Sequence, residues 1–364
     1  NGDKYFTPAS NTKIVTLYTG IKMIPEYFPT LKYAEKNDSI YIVPTGDPAW
    51  LHPYFQDSTG INFLQKKKNI AIYLSNSEDE RFGPGWAWED YPYYFSAERS
   101  SLPLYGNVVS LSNSDGLEVS PIFFLDSLHL KHTIVGRDEF DNQFYLNPEL
   151  QDTVHIPFIV KKSLTKTLLK SVLKKEIALL DSLPTGPKEV LYGIKSDSIY
   201  KRMMHVSDNF LAEQIMMTAS STLSDTLGIQ RAMDHMLENE LSFLQHPPRW
   251  VDGSGLSRYN LFTPKSFVQI LERLYQEVDQ ERLFTLFPNW DATGTVSKWK
   301  DPTMESFIFA KSGSFGNNYN LSGYLRTKSG KLLIFSFMNN HFRVPSSDVR
   351  RQMYLLLKSL HEKH

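Results

Sequence analysis

A chain of 364 residues with 39 lysines and arginines against 40 aspartates and glutamates has a formal net charge of −1, so no global field draws it to nucleic acid or an anionic membrane. Its 41% hydrophobic and 13% aromatic residues suffice for the cores of about two or three domains, and the absence of cysteine excludes disulfides, thiol catalysis and cysteine-held metals. No apolar run reaches the roughly 18 residues of a membrane span. No leader is visible at Asn1-Gly2-Asp3-Lys4, so the start reads as trimmed, with any signal peptide upstream.

The first predicted element is a helix over 10–23, followed by a polar segment and a short strand over 39–43. Thr45-Gly46-Asp47-Pro48 is turn chemistry and marks a boundary. From there to about 160 the pattern is of short strands, at 69–74, 108–112, 128–135 and 141–146, separated by Gly, Pro, Asn and Asp. Gly83-Pro84-Gly85-Trp86-Ala87-Trp88 reads as a rigid aromatic loop, a buried corner or a ligand wall. From residue 163 the period becomes helical: 164–180 carries a basic exposed face, and further helices are predicted over 198–204, 208–220, 224–241 and 264–277. Strands over 308–314, 320–327 and 331–339 form an antiparallel meander, and 346–360 a closing amphipathic helix. A chain that opens on a helix and closes on strands and a helix can build one domain from its two ends. The expected division is 1–45 with 195–364 for that domain and 46–194 for a β-rich insertion.

Three polar clusters carry candidate chemistry. Ser10-Asn11-Thr12-Lys13 places a serine and a lysine three apart at a helix start, one turn apart on one face. A serine hydroxyl needs a base to become a nucleophile, and a partly buried lysine can be that base. The same four residues also fit a capping serine followed by a solvated lysine. Ser207-Asp208-Asn209 precedes a predicted helix, where Ser207 or Asp208 can be an N-cap, or Ser207 can relay a proton and Asn209 bind a substrate carbonyl. Lys311-Ser312-Gly313 sits inside an apolar strand, where glycine marks close approach of another backbone. Lys311 would supply positive charge there and Ser312 a hydroxyl for a carboxylate. His129 and His132 fall on a predicted strand that splits them across its faces, and no His-Glu-x-x-His run is present, so no metal or cofactor is expected. Nor is there a Gly-x-Ser-x-Gly elbow.

The order Ser-x-x-Lys, Ser-x-Asn, Lys-Ser-Gly is the joint signature of penicillin-recognising serine enzymes. The chain resembles the class C low-molecular-mass penicillin-binding proteins, the D-Ala-D-Ala carboxypeptidase/endopeptidases of bacterial envelopes. Further landmarks are Phe6-Thr7-Pro8-Ala9, Gly46-Asp47-Pro48, Pro84-Gly85-Trp86-Ala87-Trp88, Phe95-Ser96-Ala97, Asn107-Val108-Val109-Ser110, Asp252-Gly253-Ser254-Gly255-Leu256-Ser257-Arg258 and Asn320-Leu321-Ser322-Gly323-Tyr324. The resemblance implies an α+β fold: a transpeptidase/β-lactamase-like domain, its antiparallel sheet flanked by helices, with a β-rich insertion. It implies Ser10 as acyl-enzyme nucleophile, Lys13 as its base, Ser207 as proton relay and Asn209 as orienter of the substrate amide. Lys311 would keep Lys13 deprotonated by repulsion and, with Ser312, Gly313 and Ser314, hold the substrate. The backbone N–H groups of Ser10 and Ser314 would form the oxyanion hole. Peptidoglycan stem peptides and covalent β-lactams are the expected partners, and the periplasm or cell envelope the expected location. Residues 252–258 receive no chemical step. Two departures stand out: Ser312 replaces the usual threonine, and Tyr105-Gly106-Asn107 lacks the acid that some relatives carry two before the asparagine. A β-lactamase or esterase on the same motifs, and a catalytically idle envelope scaffold, are the competing expectations.

Overall fold

The computed structural model describes residues 1–363 apart from Asp115, Thr133, Ile134 and Pro302. One 3₁₀ turn, Ala9–Thr12, leads into helix α1 (Lys13–Met23), together the helix expected over 10–23. Residues 13–20 are all buried, so α1 is a central helix, covered on every side.

Strands β1 (Tyr27–Lys36) and β2 (Ser39–Pro44) pair antiparallel, and β1 replaces the polar segment expected there. The alternation that betrays a strand is missing from β1 because Phe28, Pro29, Thr30 and Leu31 are consecutively buried. Helix α2 (Thr59–Gln65), which the sequence did not announce, precedes β3 (Asn69–Ile72). Then come β4 (Val108–Ser112), as read, β5 (Glu118–Ser120), β6 (Leu128–Leu130), β7 (Gly136–Arg137), β8 (Phe144–Leu146) and β9 (Val154–Pro157). The strand expected over 128–135 is therefore short, and its residues 133 and 134 lie outside the described ones.

The helix expected over 164–180 is two elements. Helix α3 (Lys162–Leu173) ends where Lys174 turns left-handed at φ 54°, and β10 (Ile177–Leu179) then runs parallel to β3. Strand β11 (Glu189–Lys195) follows and pairs with β1. Helices α4 (Ser196–Val206), α5 (Asn209–Ser221), α6 (Ile229–His235) with a π turn over Met236–Glu240, α7 (Pro264–Glu277) and α8 (Gln280–Leu286) complete the helical layer. Helix α6 starts later than the expected 224 because Gly228 is its extended N-cap. Helix α7 has its predicted bounds: Pro264 opens it and the Thr263 side chain accepts from Ser266 N. The meander is β12 (Ile308–Phe315), β13 (Asn318–Arg326) and β14 (Leu332–Asn340), closed by α9 (Ser346–Lys363).

The sheets run β10-β3-β2-β1-β11, β12-β13-β14, β5-β4-β9 and β6-β8-β7. Strands β1 and β2 lie inside the first of these, and Leu31, Ile40 and Ile42 join a core with Trp50, Val109, Phe144 and Leu169. The boundary expected at residue 45 therefore falls within a continuous sheet. A second core packs α1 and α4–α7 around Tyr18, Tyr200 and Leu211, and a third packs β12 and β13 on α9. Leu211 is 0% exposed in the second core. Leu211→Ala is expected to lower the unfolding free energy by about 2–5 kcal/mol in equilibrium denaturation, through lost burial and the cavity it leaves.

The two chain ends meet at the meander. Phe6 and Phe262 exchange backbone hydrogen bonds of 2.8 and 3.0 Å. Thr7 N donates to Asn340 Oδ1 at 2.7 Å, and Asn320 Nδ2 donates to Thr7 O and Pro8 O at 2.9 Å. These bonds hold the turn containing Ser10 against β12–β14.

Candidate active site

The Ser10 turn is held in an uncommon shape. Ala9 has φ 48°, in the left-handed region that non-glycine residues rarely occupy. Thr12 Oγ1 donates to Ala9 O at 2.9 Å, and Asn11 Nδ2 donates to Ser322 Oγ at 2.8 Å. One turn on, Lys13 is fully buried and its Nζ donates to Ser10 Oγ (2.9 Å), Asn209 Oδ1 (2.6 Å) and Ser254 O (2.7 Å). Three acceptors match the three protons of an ammonium. When one proton leaves, the lone pair can face Ser10, whose hydroxyl then becomes the donor.

Asp208 caps α5 by accepting from Leu211 N at 3.0 Å, so the capping alternative describes Asp208 while leaving its neighbours free to act. Asn209 then opens α5 with Oδ1 on Lys13 and Nδ2 donating to Phe95 O at 2.9 Å. Ser207 stands between α4 and α5 at φ 60°, again left-handed, and its Oγ accepts from Lys311 Nζ at 2.9 Å. Lys311 also donates to Ser312 O at 2.9 Å. Gly313 has a steric reason: a Cβ there would lie 2.4 Å from Pro8 O, 2.7 Å from Asn11 N and 2.8 Å from Ser10 N. Only glycine lets β12 pass this close to the serine turn. Ser314 is exposed beyond it.

The structure thus joins Ser10, Lys13 and Asn209 by direct hydrogen bonds and Ser207, Lys311 and Ser312 in a second, adjoining group. Burial pushes the Lys13 amine down to about 8, against the opposing pull of Asp252, Asp208 and Glu213. Lys311 is pushed well below the ordinary lysine range, first by burial and then by Lys13. The expectation was that repulsion from Lys311 would play the main part in neutralising Lys13. Burial does most of that work, and the repulsion is felt at Lys311.

Residues left without a role in the sequence surround Lys13. Ser254 O accepts from Lys13, and Ser254 N donates to Glu213 Oε1 at 2.7 Å. Gly255, at φ 80°, abuts the serine turn: a Cβ there would lie 1.9 Å from Ala9 O. The glycine-flanked Asp-Gly-Ser-Gly run was the available signal. Beside Asp208 lies a cavity of about 520 Å³ whose lining includes His52, Tyr93, Tyr94, Gly106, His155 and Arg202. Tyr105, where some relatives carry an acid, adjoins it in sequence.

A serine hydrogen-bonded to a buried lysine and set between a Ser-x-Asn helix start and a Lys-Ser-Gly strand, on a sheet flanked by helices, is the arrangement of the penicillin-recognising class of α+β folds. The chain belongs to the D-Ala-D-Ala carboxypeptidase 3 (S13) family, whose profile matches residues 161–360. It is 29% identical over 152 residues to D-alanyl-D-alanine carboxypeptidase DacB of Haemophilus influenzae, a match covering 39% of this chain and 31% of that protein. The matched stretch is thus about a third of the length of that curated relative. The fold is similar to the crystal structure of penicillin binding protein 4 (dacB) from Haemophilus influenzae, with a TM-score of 0.73 at 18% identity, covering 100% of this chain and 92% of that one. A penicillin G-acylated predatory endopeptidase from Bdellovibrio bacteriovorus, in complex with an immunity protein, gives a TM-score of 0.53 at 16% identity over 99% of this chain and 87% of its own.

Proposed function

We propose that the chain is a serine-type D-Ala-D-Ala carboxypeptidase/endopeptidase that acts on peptidoglycan stem peptides in the bacterial periplasm or cell envelope and is acylated by penicillin. The observation that carries this is the buried Lys13 amine, bonded at once to Ser10 Oγ and Asn209 Oδ1. Ser10 Oγ attacks the carbonyl of the terminal D-Ala-D-Ala bond, and its proton passes to neutral Lys13. The negative oxygen that forms is met by the backbone N–H groups of Ser10 and Ser314. Collapse breaks the C–N bond, and the departing D-alanine nitrogen takes a proton by way of Ser207. Lys311 and Ser312 hold the substrate's terminal carboxylate, and water then cleaves the acyl-serine ester. The two chain ends, 1–45 and 195–364, would form the catalytic unit, with β1 and β2 continuing into the inserted stretch as one sheet.

Incubation with a fluorescent penicillin, followed by peptide mass spectrometry, tests this. A long-lived adduct on Ser10 is expected. No adduct points to an idle scaffold, and rapid release of the opened penicillin points to a β-lactamase.

The pH dependence follows from Lys13. Its base form predominates above about pH 8, so the acylation rate is expected to rise tenfold per unit below that point and level off above it. Stopped-flow acylation by a chromogenic β-lactam from pH 6 to 10 checks this; a flat profile would remove Lys13 as base.

A further inference from the structure

The carboxylate that grips Ser254 is itself held by an arginine from the inserted stretch. Glu213, on α5, is 1% exposed. Its Oε1 accepts from Ser254 N at 2.7 Å, and its Oε2 accepts from Arg99 Nε and Nη2 at 2.9 and 2.5 Å. Arg99 is 6% exposed, and its guanidinium also lies 5.1 Å from the centre of the Trp86 ring. Trp86 Nε1 donates to Asp252 Oδ2 at 2.9 Å, and Asp252 in turn accepts from Gly255 N, Ser257 N and Asn260 Nδ2. Arg99, Glu213, Asp252, Ser254 and Lys13 are all buried, and Trp86 is partly exposed. The chain runs Arg99–Glu213–Ser254–Lys13 and ends on the amine beside Ser10.

We propose that the Arg99–Glu213 pair is a positioning unit that sets the basicity of Lys13: Glu213 aims the Ser254 carbonyl at the amine, and Arg99 cancels the charge that would otherwise hold the amine protonated. The proposal rests on Lys13 being the base that activates Ser10. The charged groups facing Lys13 are Asp208 and Glu213 from the start of α5, Asp252 from the loop before Ser254, and Lys311 from β12. Asp208 has Arg202 at 3.8 Å, and Glu213 has Arg99 in a closer, two-point ion pair. Asp252 is met by neutral donors only among the hydrogen bonds of the described residues. With two of three carboxylates matched by arginines, burial prevails and the amine is free to lose its proton near neutrality. An arginine from the insertion thereby enters the electrostatics of a base carried on α1, acting through Glu213 and Ser254.

The test is the pH midpoint of Ser10 acylation by a chromogenic β-lactam in the full chain. Glu213→Gln keeps an acceptor for Ser254 N–H while removing a negative charge, and is expected to lower the midpoint by about one unit. Arg99→Gln leaves Glu213 unmatched and is expected to raise it by about one unit. Arg99→Lys keeps the charge and is expected to restore the parent midpoint. Glu213→Gln is nearly isosteric, so it decides the matter if Arg99→Gln does not fold. A midpoint unmoved in Glu213→Gln, with only the plateau rate reduced, would overturn the proposal and leave the pair as a structural tie. Failure of the parent chain to form any Ser10 adduct would instead strike the acyl-enzyme assignment.

Discussion

Lys13→Met is expected to slow acylation of Ser10 by on the order of 10²- to 10⁴-fold, the range lost with a general base. Methionine has nearly the length of lysine and suits a site with no exposure, so the loss would report chemistry rather than collapse. The same variant has a signature in stability. The folded-state value of Lys13, about 8, lies below its ordinary 10.5, so between these pH values the unfolded chain binds more protons. Stability therefore rises with pH through this window, and protonation of the buried amine costs about 3 kcal/mol at pH values below it. Lys13→Met removes that share of the slope, leaving the share of Lys311. Measured by urea denaturation at pH 7 and pH 10, the parent should gain more from the higher pH than the variant does. Equal gains would show that Lys13 is not depressed.

Gly313→Val should be almost as damaging without altering any acid or base. Its Cβ would meet Pro8 O at 2.4 Å and the backbone nitrogens of Asn11 and Ser10 at 2.7 and 2.8 Å. These are main-chain atoms of the serine turn, so no side chain can swing away to make room. Either β12 or the turn must shift by about an ångström, enough to cost on the order of 10²-fold in acylation. Overpacking would add about 1–3 kcal/mol of destabilisation. The pH midpoint should stay near that of the parent, because Lys13 stays buried beside Asn209 and Ser254 and no charged group is added or removed. Acylation kinetics across pH and thermal unfolding separate the two effects; a rate within threefold of the parent would show that the close approach is unnecessary.

Much of the candidate site was legible because its residues fall in short runs. Ser10 to Lys13 is one helical turn, Ser207 to Asn209 straddles a helix start, and Lys311 to Gly313 lies on one strand, so spacing alone fixes each local geometry. The helix bounds at Pro264 and Glu277 were legible because a threonine cap and a first-turn proline mark the start. Strand β1 was not, since burial on both faces erased its alternation. The end of α3 was missed because Lys174 adopts a left-handed backbone without being glycine. The parts played by Ser254 and Arg99 were invisible for another reason. One acts through a backbone carbonyl, which every residue type has, and the other through an ion pair 114 positions away in sequence. The source of the Lys13 shift was likewise a property of three-dimensional burial.

The distances along the chain spanned by the site have a bearing on when it forms. Asn11 reaches Ser322 across 311 positions, and Thr7 reaches Asn340 across 333. Contacts of such separation are slow to close, and ribosomal synthesis delivers the N-terminal partner long before the C-terminal one. Until β12–β14 have emerged and docked, the Ser10 turn lacks its ties to Asn320, Ser322 and Asn340, while the partners of Lys13, Asn209 and Ser254, are already in place. The nascent chain would therefore carry the proposed nucleophile, Ser10, without β12, the strand proposed to hold substrate, until folding is complete. A chain cut before residue 311 should fold parts of its cores yet leave the serine inert.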